Sequence, residues 1–308
     1  MSKDLMLENR QNPIPIREIS RLTGVNSVTL RAWERRYGLI KPLRTNKGHR
    51  LYGRDDVELI KTIQGWLARG LAIGKVSELL ESGLPSQHVD IENIWQGYLS
   101  ELLAIMAELH LGKLEAFFNQ LFSVYPAALI ADQLIAPVLD NLNQESFGNG
   151  VKKAILINRL TEYLLMLTQR QRQQAKGKRI AIIQLNTAVN PLQNTLLHYG
   201  LTMNQVKSEL LGVVSVAEVV FAVEQLALDG FIVFNDACSS VGEFQKELTQ
   251  LTQTTSLPIL VGGKLIHALT AEFPPHVHLA SDSGQQDVMG VLNTVFPESF
   301  SGEVEHEG

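Results

Sequence analysis

The sequence has a single cysteine, Cys238, among its 308 residues. One thiol cannot build an intramolecular disulfide framework or a site with several thiolate ligands, which disfavours a disulfide-stapled fold and a thiol-based metal sensor. No run approaches the roughly 20 apolar residues that a membrane span needs, because polar residues interrupt even the most apolar region, 210–234. The first residues lack the apolar core of a signal peptide, so a cytoplasmic location is expected.

Charge is distributed unevenly along the chain, although the formal net charge at pH 7 is only −5. The first 84 residues contain 15 Lys and Arg against 9 Asp and Glu, whereas the remainder contains 12 against 23. Between Arg17 and Arg54 there are 10 basic residues and only two acids, Glu18 and Glu34. This excess indicates a face that binds a polyanion, with a solvated basic surface as the alternative.

Two short helices are predicted after a proline-marked arm near the amino terminus. The segment IREISRLTGV has apolar residues at helical spacing and ends in a turn at Thr23-Gly24. A second, arginine-rich helix follows, capped by Asn26 or Ser27. Two such helices are typical of helix-turn-helix proteins, which insert the second helix into the major groove of DNA. The inward face of this second helix is expected to contain Val28, Leu30 and Trp33.

The next segment, LIKPLRTNKGHRLYGRDDV, predicts a short cationic hairpin, or wing. Its long basic side chains would contact phosphates, because they neutralise the DNA charge and release counterions. Leu51 and Tyr52 are expected to anchor the wing to the core. Two more helices are predicted, at 55–68 and 73–81.

The run TLRAWERRYGLIKPLRTNKGHRLYGRDDV resembles the recognition helix and wing of the MerR family of transcriptional regulators. The elements TLR, GL, P-x-R and G-x-RLY occur in the family's order over about 70 residues. The form Ala-Trp-Glu-Arg-Arg-Tyr resembles the subgroup that joins this module to cobalamin-binding-like domains, as in CarH-, LitR- and MlrA-type regulators. The resemblance implies DNA contacts by Thr29, Arg31, Arg35, Arg36, Tyr37, Arg44, Lys47, His49, Arg50 and Tyr52.

The middle of the chain predicts a four-helix bundle, because its apolar residues follow a helical period. The expected helices cover roughly 87–109, 112–124, 126–142 and 150–174. The cluster of Phe117, Phe118, Phe122 and Tyr125 is interpreted as core, with the lining of a ligand cavity as the alternative.

From Arg179 onward, five short apolar strands alternate with five helical segments. This alternation predicts a doubly wound parallel sheet with helices on both faces, a Rossmann-like architecture. Ligands of such folds bind at the carboxyl ends of the strands. No Rossmann phosphate fingerprint follows the first strand, so a dinucleotide is not expected.

Behind a MerR-like module, a bundle followed by this sheet resembles cobalamin-binding domains of the methionine-synthase type. In that family a histidine after the first strand ligates cobalt, whereas no histidine occurs here from Gly177 through Leu197. His198, in the following helix, is expected to be a surface or capping residue. The family's Ser-x-Leu is replaced by Asn235-Asp236-Ala237, and only Gly262-Gly263 remains of the cofactor-binding motifs. We therefore expect no cofactor, with retained cobalamin binding as the alternative.

No catalytic or metal-binding group of residues is recognisable in the sequence. His276 and His278 share a strand face without an identifiable third ligand, and Cys238 is interpreted as a small buried residue. A doubly wound fold alone does not carry chemistry, so the chain is not expected to be an enzyme.

The sequence thus predicts a DNA-binding regulator with three domains, whose carboxy-terminal region mediates oligomerisation or sensing. The domains are a MerR-type winged helix-turn-helix at 14–84, a four-helix bundle at 87–174 and a cobalamin-binding-like α/β domain at 179–297, between flexible tails at 1–13 and 298–308. The implied partners are double-stranded promoter DNA, a second copy of the chain and RNA polymerase, with no membrane. The helix at 73–81 is too short for a long coiled coil, so dimerisation is expected through the bundle or the sheet. The alternative is a cobalamin-dependent, light-responsive regulator.

Overall fold

The structure is a computed structural model that describes residues 13–82, 93–172, 175, 177–185, 191–235, 240–270, 272–280 and 285–296. The chain divides into two compact units, Met1–Lys153 and Ala154–Gly308. Apart from Pro13, both predicted tails lie outside the described residues, as does Cys238. The three domain boundaries given above remain predictions.

The first unit begins with a small antiparallel sheet and short helices. The elements are β1 (Ile14–Pro15), α1 (Ile16–Thr23), α2 (Ser27–Tyr37), β2 (Leu43–Arg44), β3 (Arg50–Tyr52), α3 (Arg54–Ala68) and α4 (Ile73–Ser82). The central strand β3 pairs with both β1 and β2. The predicted helix-turn-helix and wing are confirmed, and the proline-marked arm adds a third strand to the wing.

The start of α2 is determined by its capping residue. The chain leaves α1 through Gly24, whose φ of +70° is a conformation that glycine adopts without strain. The Asn26 side chain then accepts hydrogen bonds from the backbone N–H groups of Val28 (2.9 Å) and Thr29 (2.8 Å). Asn26 therefore satisfies two of the amides that have no partner within the helix.

The inward face of α2 differs from the sequence prediction at one of its three predicted residues. Leu30 and Trp33 are fully buried, as predicted, but Val28 is 43% exposed. At about 100° per residue, Val28 lies roughly opposite the midpoint between Leu30 and Trp33. The prediction that Val28 points inward is therefore wrong.

The remainder of the helical region confirms the predicted helices. They are α5 (Ile94–Glu108), α6 (Leu111–Val124), α7 (Ala127–Ile130), α8 (Ala136–Leu142) and α9 (Asn149–Arg172), with a π-helical turn at Ala131–Ile135 between α7 and α8. Phe117, Phe118 and Phe122 are buried on α6, which favours the core interpretation of this cluster. Among the described helices, none combines the length and apolarity needed to cross a membrane.

Two indole groups join the winged module to the helices that follow it within the first unit. Trp33 Nε1 on α2 donates to the carbonyl oxygen of Val124 (2.9 Å), and Trp95 Nε1 on α5 donates to that of Leu67 (2.7 Å). Both carbonyls lie in the last turn of a helix, where carbonyl groups have no N–H partner within the helix. Next to Val124, the ring of Tyr125 packs against that of Trp95, with centroids 5.1 Å apart. Helix α2 is thus anchored by buried polar and aromatic contacts.

The second unit contains a five-stranded parallel sheet. Its elements are β4 (Arg179–Gln184), α10 (Pro191–Met203), β5 (Lys207–Val213), α11 (Val216–Leu226), β6 (Gly230–Phe234), α12 (Val241–Thr254), β7 (Ile259–Gly262), a 3-10 helix at Lys264–Ala268, β8 (Val277–Leu279) and α13 (Gln285–Val295). The strand order is β5-β4-β6-β7-β8, and every pair is parallel. Strands β4, β6 and β7 are almost wholly buried, so their apolar runs form the core. The predicted doubly wound sheet is confirmed.

A buried polar cluster lies between α10 and the start of β5. His198 is 4% exposed, so the prediction of a surface or capping residue is wrong. Its Nδ1 lies 2.8 Å from the Ser208 hydroxyl, which also lies 3.0 Å from the hydroxyl of Thr202. Burial, followed by the positive charge of Arg172, lowers the pKa of His198 from 6.5 to about 4. The imidazole is therefore neutral at physiological pH.

Replacing Trp33 with Phe should destabilise the first unit. The substitution removes the indole donor and leaves the Val124 carbonyl without this buried partner, so we expect a loss of roughly 2 kcal/mol in the free energy of unfolding. Urea titration followed by tryptophan fluorescence measures the change. Trp66→Phe is the matched control, because Trp66 is only half-buried. Equal stability of Trp33→Phe and the wild type would contradict the anchoring role.

The neutral state of His198 should make the second unit sensitive to acid. Because the folded-state pKa lies below the unfolded value, the unfolded chain binds more protons between pH 6.5 and about 4. The contribution to stability is complete above pH 6.5 and declines as the pH falls through this range. At pH 5 the expected loss is about 2 kcal/mol relative to pH 7.5.

Urea unfolding followed by circular dichroism at the two pH values tests this dependence. His198→Gln should flatten the pH dependence, whereas His267→Gln, at an exposed position, should leave it unchanged. A His198→Gln chain with the full wild-type pH dependence would show that another group is responsible.

Candidate nucleic-acid interface

The outward face of α2 is cationic. Arg35 and Arg36 are exposed near the carboxyl end of the helix, and Arg31 and Tyr37 are half-buried. Because Leu30 and Trp33 hold the opposite face in the core, these guanidinium groups project from an anchored helix. An anchored cationic helix has the geometry that major-groove recognition requires.

The wing presents further cations at its turn. Thr45 N donates to the carbonyl oxygen of His49 (2.9 Å), and His49 N donates to the Thr45 hydroxyl (3.0 Å). Gly48 occupies the left-handed position with a φ of +83°. This turn leaves Lys47 and His49 exposed, together with Arg44 on β2.

Glu34 connects the recognition helix to both strands of the wing. Its Oε1 accepts a hydrogen bond from Arg44 Nη2 on β2 (2.7 Å), and its Oε2 accepts one from Arg50 Nε on β3. The Glu34 and Arg50 side chains are 15% and 16% exposed, so this pair is partly shielded from solvent. One carboxylate therefore orients two guanidinium groups and still leaves each of them donors for an outside anion.

The protonation state of Glu34 follows from the same contacts. Burial raises its pKa, but hydrogen bonds and charges from Arg50 and Arg44 outweigh burial, and the pKa lies below its ordinary value of 4.5. Glu34 therefore remains ionised at neutral pH, and the connection between helix and wing remains charged.

Two predicted DNA-contact residues are located in the core. Thr29 and Tyr52 have no exposed surface. The hydroxyl groups of both are buried without a hydrogen-bond partner in the described structure. Burial raises the pKa of Tyr52 to about 12, so its phenol remains protonated. The structure corrects the expectation for these two side chains, because Thr29 lies on the inward side of α2 and Tyr52 anchors β3.

The other residues predicted to contact DNA lie on α2 and the adjoining wing. They are Arg31, Arg35, Arg36, Tyr37, Arg44, Lys47, His49 and Arg50. Reasoning from sequence missed the role of Glu34, although one signal was present. Glu34 is one of only two acids between Arg17 and Arg54, and an isolated acid among cations is a candidate for pairing.

The sheet of the second unit has its own candidate site, between the carboxyl ends of β4 and β6. The strand order reverses at this point, where doubly wound folds bind ligands. Here the Asn235 amide crosses between the strands, since its Nδ2 donates to the Leu185 carbonyl (2.9 Å) and its Oδ1 accepts from Leu185 N (3.4 Å). The protein's own side chain therefore bridges this crevice.

The glycine pair after β7 is also occupied by the protein's own packing. A Cβ on Gly262 would lie 2.5 Å from Val288 Cγ2 and 3.1 Å from the Phe234 ring. A Cβ on Gly263 would lie 2.3 Å from the Asn235 carbonyl oxygen. These glycines are thus required by close contacts within the domain, which leave no cradle open for a ligand at these two positions.

The described residues do not fit histidine-ligated cobalamin. His198 is bonded to Ser208 at the start of β5, which is the amino end of that strand and far from the edge where the family places its ligand. Residues 186–190 and 236–239 lie outside the described residues, and their sequences contain no histidine. A lower histidine ligand at this edge is therefore not available from the residues that follow β4 or β6.

Comparison with known proteins identifies the amino-terminal module. Residues 14–83 match the family of MerR HTH family regulatory proteins. The HTH-type transcriptional regulator MlrA of Escherichia coli (strain K12) is 33% identical over 162 residues, which cover 52% of this chain and 65% of that protein. The HTH-type transcriptional repressor CarH of Myxococcus xanthus is 26% identical over 132 residues, which cover 40% of this chain and 44% of that repressor.

One solved structure aligns over a larger share of the chain. It is a novel cobalamin-binding protein from Desulfitobacterium hafniense DCB-2, with a TM-score of 0.33 and 11% identity over 66% of this chain and 98% of that protein. The chain spans 65% of the length of MlrA. Residues 14–83 of this chain therefore match the MerR helix-turn-helix family, and about half of the chain is similar to the transcriptional regulator MlrA.

Proposed function

We propose that the protein is a sequence-specific DNA-binding transcriptional regulator of the MerR type. The observation that carries this proposal is the cationic outward face of α2 next to a wing whose Arg44 and Arg50 are held by Glu34. In this arrangement α2 enters the major groove, and the wing contacts the phosphates beside it. The protein acts in the cytoplasm, on double-stranded promoter DNA, and not as an enzyme.

The remaining regions serve self-association or sensing. MerR-type domains read near-palindromic sites, and a two-fold operator is matched by a two-fold protein. With ten residues, α4 is too short for a long coiled coil. Self-association therefore uses the helical region or the sheet, and the bound dimer presents the promoter to RNA polymerase.

The second unit acts without histidine-ligated cobalamin. The proposal is supported by the bridging amide of Asn235 and by the contacts that fill the space beside Gly262 and Gly263. The alternative is a cobalamin-dependent, light-responsive regulator, which the resemblance of the Ala-Trp-Glu-Arg-Arg-Tyr segment to cobalamin-linked MerR-type regulators favours.

The double variant Arg35→Ala/Lys47→Ala should weaken DNA binding and its dependence on salt. We expect about tenfold lower affinity or more, because a base or phosphate contact is lost at each position. The slope of log affinity against log salt should become shallower by about 0.9 for each phosphate contact removed. Gel shifts at several salt concentrations, on duplexes selected from a random pool by the wild-type chain, measure both effects.

Arg159→Ala/Lys61→Ala is the matched control, since it removes the same charges from exposed positions outside α2 and the wing. The control should bind like the wild type. If both double variants lost the same affinity, binding would depend on overall charge, and the proposed interface would be wrong.

Incubation with adenosylcobalamin should leave the protein without a bound corrinoid. Gel filtration followed by an absorbance spectrum is the measurement, and the expected result is a protein peak that lacks the corrinoid bands. Stoichiometric co-elution of corrinoid would overturn the loss of the cofactor and favour the alternative. Asn235→Ala, which removes the bridging amide, should not bind the corrinoid either, because the segment between β4 and α10 contains no histidine.

A further inference from the structure

Val28 is exposed on the face of α2 that carries the arginines. It is 43% exposed, and Ala32 and Arg35 follow it at i+4 and i+7, which places the three side chains on one ridge of the helix. The ridge therefore begins with two short aliphatic side chains and ends with a cation. Ala32 is half-buried and small, so it allows another surface to approach the helix closely.

Packing within the module does not explain a valine at this position. Val25 precedes the capping residue Asn26, and Leu30 lies in the first turn of α2 on its inward face. Both are fully buried. They occupy the positions that hold the entry to a helix by apolar contact. Val28 contributes only its backbone N–H to the cap, through the bond to Asn26. Its isopropyl group is therefore available to a partner outside the module.

The surroundings of Val28 limit the chemistry of that partner. Arg31 and Arg36 lie on either side of the ridge at about 100° per residue, so the partner must present a small apolar group between negative charges. Duplex DNA meets this requirement, because the C5 methyl of thymine projects into the major groove between two rows of phosphates. Val28 is the second residue of α2, and residues near the amino end of a recognition helix contact base edges.

We propose that Val28 is a specificity-determining residue that packs its isopropyl group against the C5 methyl of a thymine in the major groove. This inference rests on the proposed function. The protein should therefore bind more tightly to a site with thymine at this position than to one with deoxyuridine. Deoxyuridine has the same hydrogen-bonding edge and lacks only the methyl group that Val28 would contact. The affinity difference expected from one such contact is about fourfold.

The experiment uses full-length protein and a duplex selected from a random pool by the wild-type chain. Each thymine of this duplex is replaced in turn by deoxyuridine, and affinities are measured by gel shift. We expect one thymine in each half-site whose replacement weakens wild-type binding about fourfold. Val28→Ala should bind the thymine duplex with the same loss and should not distinguish thymine from deoxyuridine at that position.

Val151→Ala is the matched control, because Val151 is 58% exposed on α9, away from α2. It should retain the wild-type preference for thymine. The inference is overturned if no replacement by deoxyuridine affects the wild type, or if Val28→Ala keeps the full preference for the methyl group. Either result leaves the proposed function standing, since the chain still binds DNA. A wild-type chain that selects no duplex overturns both.

Discussion

The buried hydrogen bond from the Trp33 indole to the Val124 carbonyl determines how α2 is presented. A recognition helix is useful only if one face is held by the protein while the other remains free for the groove. Trp33 and Leu30 hold the inner face, and the residues opposite them are consequently exposed. Because the acceptor lies on α6, the anchor of the proposed DNA-binding face belongs to the helical region as well as to the winged module. A change in the packing of α6 would therefore alter the contact that holds α2 in place.

Electrostatics refine the face that this packing exposes. A wing rich in arginine would repel a helix rich in arginine, and Glu34 relieves that repulsion by accepting from both Arg44 and Arg50. An exposed ion pair contributes little to stability, and Arg44 is 47% exposed. The importance of Glu34 therefore lies mainly in orientation. A guanidinium group that donates to Glu34 through one N–H is held in place, and its other N–H groups are already aligned for a phosphate.

In the second unit, groups that a cofactor would use are engaged with the protein itself. The Asn235 amide bridges β4 and β6, Phe234 and Val288 crowd the first glycine of the pair, and His198 is bonded to Ser208 inside the domain. Each of these contacts satisfies a polar group or fills space within the domain. These contacts support the proposal that the second unit acts without histidine-ligated cobalamin.

Local patterns in the sequence were sufficient for the helix-turn-helix, the wing and the order of strands and helices in the sheet. Helical and strand periods, capping residues and glycine turns are properties of neighbouring residues. They could not reveal that Val28 faces outward, that Thr29 and Tyr52 are buried, or that His198 is internal, because burial depends on which distant segment packs against a residue. The pairing of Glu34 with Arg44 and Arg50 likewise required the wing to fold back on α2. The sequence by itself determined which elements form and where the positive charge is concentrated, and only the tertiary structure decided which side chains reach the surface, because exposure is set by contacts between distant parts of the chain.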